Sequence, residues 1–122
     1  MARGNFLIVN IVIITVMKLS TLASIFVISL CAIVLSFGSQ FFTSDRIYER
    51  SDIEHVEFGW PFRFVTQDQS RFDPPLPYDM DIAWEVPTTY NFQLFGYNSI
   101  FYFLLLNVFY LFATLYRKNI EK

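Results

Sequence analysis
The chain has 122 residues, of which 54% are hydrophobic and 20% aromatic, with a formal net charge of −2. At this length, membrane segments leave room for one small extramembrane domain and exclude a sizeable independent core. Acids and bases are segregated: Asp45 to Glu85 holds ten of the eleven acids but four of the nine bases, a balance of −6. The ends carry Arg3, Lys18, Arg117, Lys118 and Lys122 against Glu121, a balance of +4.

The N-terminal region is apolar from Phe6 to Phe42 with only Lys18 interrupting. A single helix over those 37 residues would reach roughly 55 Å at about 1.5 Å per residue, well beyond a hydrocarbon core about 30 Å thick. The 26 residues from Leu19 to Ser44 contain no Asp, Glu, Lys or Arg, so a first transmembrane helix is expected over residues 19–42, with Lys18 snorkelling at the cytoplasmic edge. Centring the span on Lys18 would cost about 2.5 to 3.5 kcal/mol. Residues 1–18 then read as an apolar preface, interfacial or re-entrant. They also read as an extension ahead of a natural start at Met17, because Met17-Lys18-Leu19-Ser20 resembles the beginning of a targeting segment. Ser36-Phe37-Gly38 satisfies the small-residue rule for signal cleavage before Ser39. The 17 apolar residues from Leu19 to Leu35 exceed the usual 7 to 15 of a signal peptide, which favours an anchor.

Cys31, the only cysteine, falls inside this span. It excludes an intrachain disulfide and a thiolate metal centre, and reads as a small packing residue. Leu30 stands where a lipidated cysteine needs a small neighbour. Ser20, Ser24, Cys31 and Gly38 share one side of the helix and form a candidate helix–helix or partner interface, since close packing and interhelical hydrogen bonds drive association in lipid.

Residues 43–97 are expected to form an extracytoplasmic, β-rich and irregular domain. All five prolines lie here, removing backbone donors and breaking helices. Ser44 to Glu54 reads as a short helix with local pairs among Asp45, Arg46, Glu49 and Arg50. Val56 and Phe58, then Phe62 and Phe64, suggest two short strands around Gly59-Trp60-Pro61. The clearest strand is Met80 to Val86, where Met80, Ile82, Trp84 and Val86 alternate with Asp81, Ala83 and Glu85. Nine aromatics, Phe58, Trp60, Phe62, Phe64, Phe72, Tyr78, Trp84, Tyr90 and Phe92, are available to bury. Trp60, Phe64 and Trp84 are the candidate ectodomain contacts.

From Val86 to Tyr116 another 31 residues lack charge, and a second transmembrane helix is expected over residues 98–116, followed by a basic cytoplasmic tail at 117–122. Ser99, Phe103, Asn107, Tyr110 and Thr114 follow the spacing of one helical face. The Asn107 amide is expected near the bilayer midplane, bonded either to the first span or to another subunit, because an unpaired polar group there is costly. Phe95, Tyr97, Tyr102 and Tyr116 are placed as interfacial belts are. Basic residues close to the span ends put both termini in the cytoplasm.

No catalytic motif stands out. Asp79-x-Asp81 lacks the central Gly and terminal Glu of an EF-hand, His55 is the lone histidine, and GxSxG, HExxH and phosphate-binding glycine loops are absent. Without a basic patch, nucleic acid is not an expected partner. Phe58-Gly59-Trp60-Pro61-Phe62-Arg63-Phe64-Val65-Thr66-Gln67-Asp68, with Asp73-Pro74-Pro75-Leu76-Pro77-Tyr78, resembles the extracytoplasmic part of small two-span bacterial membrane proteins. That resemblance carries no activity and transfers no functional residues. The expected function is a non-enzymatic accessory or interaction subunit in the cytoplasmic membrane, without cofactor or metal, in contact with the bilayer and with another membrane protein or a second copy of itself. The alternative is a ligand-binding ectodomain of an immunity, exclusion or sensing protein.

Overall fold
The structure is a computed structural model describing residues 2–120, with side chains described at Thr15 and from Lys18 onward. The Arg3 side chain, Glu121 and Lys122, which enter the charge argument, lie outside it. Helix α1 spans Ala2–Gly38 and tightens into a 3-10 turn at Ser39–Phe41. Strand β1 (Asp45–Ile47), a 3-10 helix (Arg50–His55), β2 (Val56–Phe58), β3 (Val65–Gln67), β4 (Tyr78–Met80) and β5 (Thr88–Tyr90) follow, and α2 closes the chain at Phe92–Ile120.

The helix is continuous through Lys18, so the apolar preface ahead of it is the first part of α1. No proline or glycine lies between Gly4 and Gly38, so nothing interrupts the ladder of a sequence rich in helix-compatible apolar residues. Within α1 and its 3-10 turn, the 24 residues Lys18–Phe41 are apolar enough to cross a membrane, as are the 29 residues of α2. Helix α2 begins six residues ahead of the expected boundary at 98. Asn91 caps it, its side-chain oxygen accepting from the N–H groups of Gln93 and Leu94 at 3.1 Å each, which satisfies donors the first turn leaves free. Two helices long and apolar enough to span a membrane therefore flank a small strand-containing region.

That region holds two antiparallel sheets, β1 with β4 and β2-β3-β5. Asp45 pairs with Met80 and Ile47 with Tyr78 in the first. Val56 pairs with Gln67 and Phe58 with Val65 in the second, where Val65 also faces Tyr90. Ile47, Ile53, Val56, Phe58, Phe64, Val65 and Met80 form one buried cluster, and Leu94 and Phe95 from the first turn of α2 pack against it. The domain core thus rests on the base of a helix rather than closing on itself.

Four local expectations are corrected. Ser44 to Glu54 is a strand and a 3-10 helix, not one helix; its charges pair across the fold, Asp45 with Arg63, Arg46 with Asp79 and Arg50 with Asp73. The second strand of the hairpin starts at Val65, because Gly59 adopts φ +112° and residues 59–64 form a broad loop. Of the nine aromatics offered to a core, only Phe58 and Phe64 are buried, since a region this small encloses little volume. Met80 to Val86 is not a strand beyond Met80.

Two buried glutamines occupy the place of a partner strand: Gln67 Oε1 accepts from the Ala83 N–H at 2.9 Å while its Nε2 donates to the Ala83 carbonyl and the Thr88 hydroxyl, both at 2.8 Å. Gln69 Nε2 donates to Gln67 Oε1 and to the Asp81 carbonyl, both at 2.9 Å. Side-chain amides offer the same donor and acceptor as a peptide, so residues 81–83 need no strand neighbour.

Candidate functional site
The seat of the domain on the helix ends is held by a set of non-local hydrogen bonds. The loop Gly59–Phe62 lies across the 3-10 turn that ends α1 and the N-terminal turns of α2, and side chains of that turn, of Thr43 and of α2 satisfy its backbone. The Gly59 N–H donates to Thr43 Oγ1 at 2.8 Å and the Trp60 N–H to Ser39 Oγ at 3.1 Å. From α2, Asn98 Oδ1 accepts from the Phe62 N–H at 2.9 Å and its Nδ2 donates to the Phe62 carbonyl at 2.7 Å. The Tyr102 hydroxyl donates to the Trp60 carbonyl at 3.0 Å. Asn98 is fully buried, so it acts as a two-pronged peptide mimic in a place where water cannot substitute.

Glycine is required at 59. A Cβ there would sit 2.5 Å from a ring carbon of Phe64, and the φ of +112° disfavours any L side chain. Phe64 is itself buried, edge-on to Phe95 at 5.2 Å; it is a core residue, not an exposed ectodomain contact. Trp60 and Trp84, the other two candidates, are 53% and 83% exposed. Trp60 meets Phe101 edge-on at 5.5 Å and Trp84 stacks on Phe41 at 5.3 Å, so both indoles are drawn to the helix ends.

The helices run antiparallel. Ser36 of α1, fully buried, donates to the Phe95 carbonyl of α2 at 3.4 Å. Three turns toward the N-terminus, Ser20, Ser24, Ile28, Asn107 and Tyr110 line one open groove of about 290 Å³. Asn107 Nδ2 donates to the Phe103 carbonyl of its own helix at 2.7 Å, not to α1 as one expectation had it. The i−4 carbonyl lies within reach of any helical side-chain amide, whereas α1 presents small serines opposite. Ser99 and Thr114 likewise bond their own helix, at Phe95 and Leu111. Cys31 is exposed, one position off the stripe that carries buried Ala32 and Ser36. Gly38 has nothing within 4 Å of where a Cβ would stand; it borders an apolar groove of about 480 Å³ shared with Phe42, Trp60 and Tyr102, so no close helix contact uses it.

No local pattern in the sequence singles out Asn98, Ser39 or Thr43. Asn98 lies nine residues, two and a half turns, from Asn107, so a one-face reading of α2 that includes Asn107 leaves it out. Gln67 and Gln69 were legible in principle, because Val65, Gln67 and Gln69 alternate onto one face. Gln40 is buried with its Oε1 unpaired. Among the described residues no group of His, Cys, Asp and Glu converges as a metal site requires. On the domain surface, Ser70 donates to the Asp68 carboxylate from its hydroxyl and its N–H and holds that carboxyl below the ordinary 3.8, with His55 and Arg71 adding in the same direction. No family model, curated protein or solved structure matches the chain.

Proposed function
We propose that the chain is a two-span protein of the cytoplasmic membrane, with both termini inside, that serves as a non-enzymatic interaction subunit and carries its small domain on the outer surface. One observation carries this reading: the helix pair leaves its large apolar side chains exposed, from Leu19 to Phe37 on α1 and from Ile100 to Leu115 on α2, while an open groove beside them bears Ser24, Asn107 and Tyr110. Apolar exposure at that density suits lipid. Polar atoms in a groove within hydrocarbon favour a neighbouring helix that pairs with them.

The charge pattern supports the orientation. Antiparallel packing puts Lys18 at the same end of the pair as Arg117 and Lys118, and the acidic domain at the other, as the positive-inside rule favours. From Asn98 to Tyr116 is 19 residues, about 28 Å of helix, which matches a hydrocarbon core. Trp60, Trp84, Phe42, Phe92 and Tyr97 then form an aromatic collar at the outer headgroup level.

The partner is another membrane protein or a second copy of this chain. Crosslinking from a photoreactive residue at Tyr110, in native membranes, tests it: a discrete adduct lost on Asn107→Leu is the expected result, and lipid adducts alone would reject the reading. Orientation is tested in a Cys31→Ser background with single cysteines at Arg3, Ser70 and Ile120. An impermeant maleimide is expected to label only position 70 in intact cells.

A further inference from the structure
The domain contains a further concave feature, which uses none of the residues of the two grooves described above. An open cleft of about 470 Å³ lies beside β4, with Phe72, Tyr78, Pro74, Pro75 and Met80 as apolar walls and Gln69, Asp73 and Asp81 as its polar groups. That volume lies in the range of small-molecule sites. Every side-chain polar group it offers to a ligand is an acceptor or an ambivalent phenol. Gln69 is almost wholly buried and its two N–H donors are spent on Gln67 and on the Asp81 carbonyl; its Oε1 accepts no hydrogen bond among the described residues, so acceptance is the capacity it has left.

The charges around the cleft are accounted for unequally. Arg50 holds Asp73 at 2.7 Å, and Arg46 lies 3.8 Å from Asp79 on the neighbouring position of β4. Asp81 has no cation partner among the described residues. One uncompensated carboxylate and one free amide oxygen thus stand beside two aromatic rings, Phe72 and Tyr78, each about half exposed. Ring faces attract cations within about 6 Å of the centroid, carboxylates form their strongest hydrogen bonds with N–H cations, and the −6 balance of residues 45–85 draws cations toward the domain.

We propose that this cleft binds an aliphatic cation bearing N–H donors, an ammonium or guanidinium on a short apolar stem. The charged head meets Asp81 and Gln69 Oε1, and the stem lies on Phe72, Tyr78 and the two prolines. Asp81 sets the charge preference and the amide oxygen the preference for N–H over alkylated nitrogen.

The test uses the full chain in maltoside micelles, with agmatine as the probe and backbone amide shifts of Phe72, Tyr78, Asp81 and Ala83 as the readout. Saturable shifts confined to these residues are expected, with a dissociation constant at or below the millimolar range. Asp81→Asn is expected to raise that constant about tenfold or more, a loss of about 1.4 kcal/mol. The Asp81 interaction with Gln69 is through the backbone carbonyl, so this variant keeps the fold, which the unperturbed amides of β2 and β3 report. Glu85→Gln, an acid outside the cleft lining, is expected to change nothing. Tetramethylammonium, with charge but no N–H, is expected to bind about tenfold more weakly. Absence of saturation up to about 10 mM agmatine, equal binding by Asp81→Asn, or equal binding of tetramethylammonium or of glutarate would each overturn the proposal.

Discussion

Asn98 holds the seat of the domain from the side of α2. Its fully buried amide closes two bonds with the Phe62 peptide, and Asn98→Leu would leave an N–H and a carbonyl without partners. The expected loss is about 3 kcal/mol, at about 1 to 3 kcal/mol per stranded group, read as a lower thermal midpoint of the domain's near-ultraviolet dichroism in detergent. Gly59→Ala meets both a φ of +112° and the Phe64 ring, and is expected to cost about 2 kcal/mol or more; a variant as stable as the parent would show that the loop relaxes freely. Asp68 gives a surface readout. Its carboxyl is held below the ordinary 3.8 by Ser70, so the turn's contribution to stability is fully present above 3.8 and is lost as pH falls through the lower folded value. Ser70→Ala is expected to return the Asp68 pKa toward 3.8 in an NMR titration, with the rest of the spectrum unchanged.

Among the elements, β3 and the segment after β4 show how side chains replace a ladder. Alternation from Met80 to Val86 reads as a strand, yet the backbone partners of residues 81–83 are the amides of Gln67 and Gln69. Gln67→Leu removes both bonds to Ala83 and the acceptor for Gln69, and is expected to cost about 2 kcal/mol. Amide hydrogen exchange should locate that loss, with Ala83 becoming unprotected while Val56 and Phe58 in β2 stay slow; uniform acceleration would mean that the glutamine pair supports the entire domain. The exposed ion pair Arg50–Asp73 is worth little by comparison, since surface pairs contribute about 0 to 1 kcal/mol. In α1 the helix runs through Lys18 without a break, since one lysine costs a helix little in propensity. Its charge governs where a membrane edge falls, not where the backbone stops.

At the scale of the whole molecule, the domain and the helix pair form a continuous body, because Leu94 and Phe95 pack on the domain core while Ser39, Thr43, Asn98 and Tyr102 hold its loop. Motion of either helix would therefore reach the domain through Gly59–Phe62. Depth is measurable with the two tryptophans one at a time. In bilayers, Trp60 in a Trp84→Phe variant and Trp84 in a Trp60→Phe variant are expected to be quenched more by lipids brominated near the headgroup than by those brominated at the chain end. Strong quenching by aqueous iodide with none by brominated lipid would remove the membrane placement of this collar.

Local chemistry suffices for the features read from single stretches. Two charge-free runs mark two apolar helices, five prolines keep regular helix out of residues 61–87, and the partition of acids from bases suggests an orientation, because hydropathy, backbone donors and charge are properties of neighbouring residues. Which polar side chains become structural was decided only in three dimensions. Asn98, Gln67 and Gln69 look like ordinary amides in sequence, and their roles arise from peptide groups 36, 16 and 12 residues away. A hydrogen bond between distant residues leaves no periodic trace in the chain. The tertiary fold alone brings those peptides within reach and shuts out the water that would otherwise satisfy them.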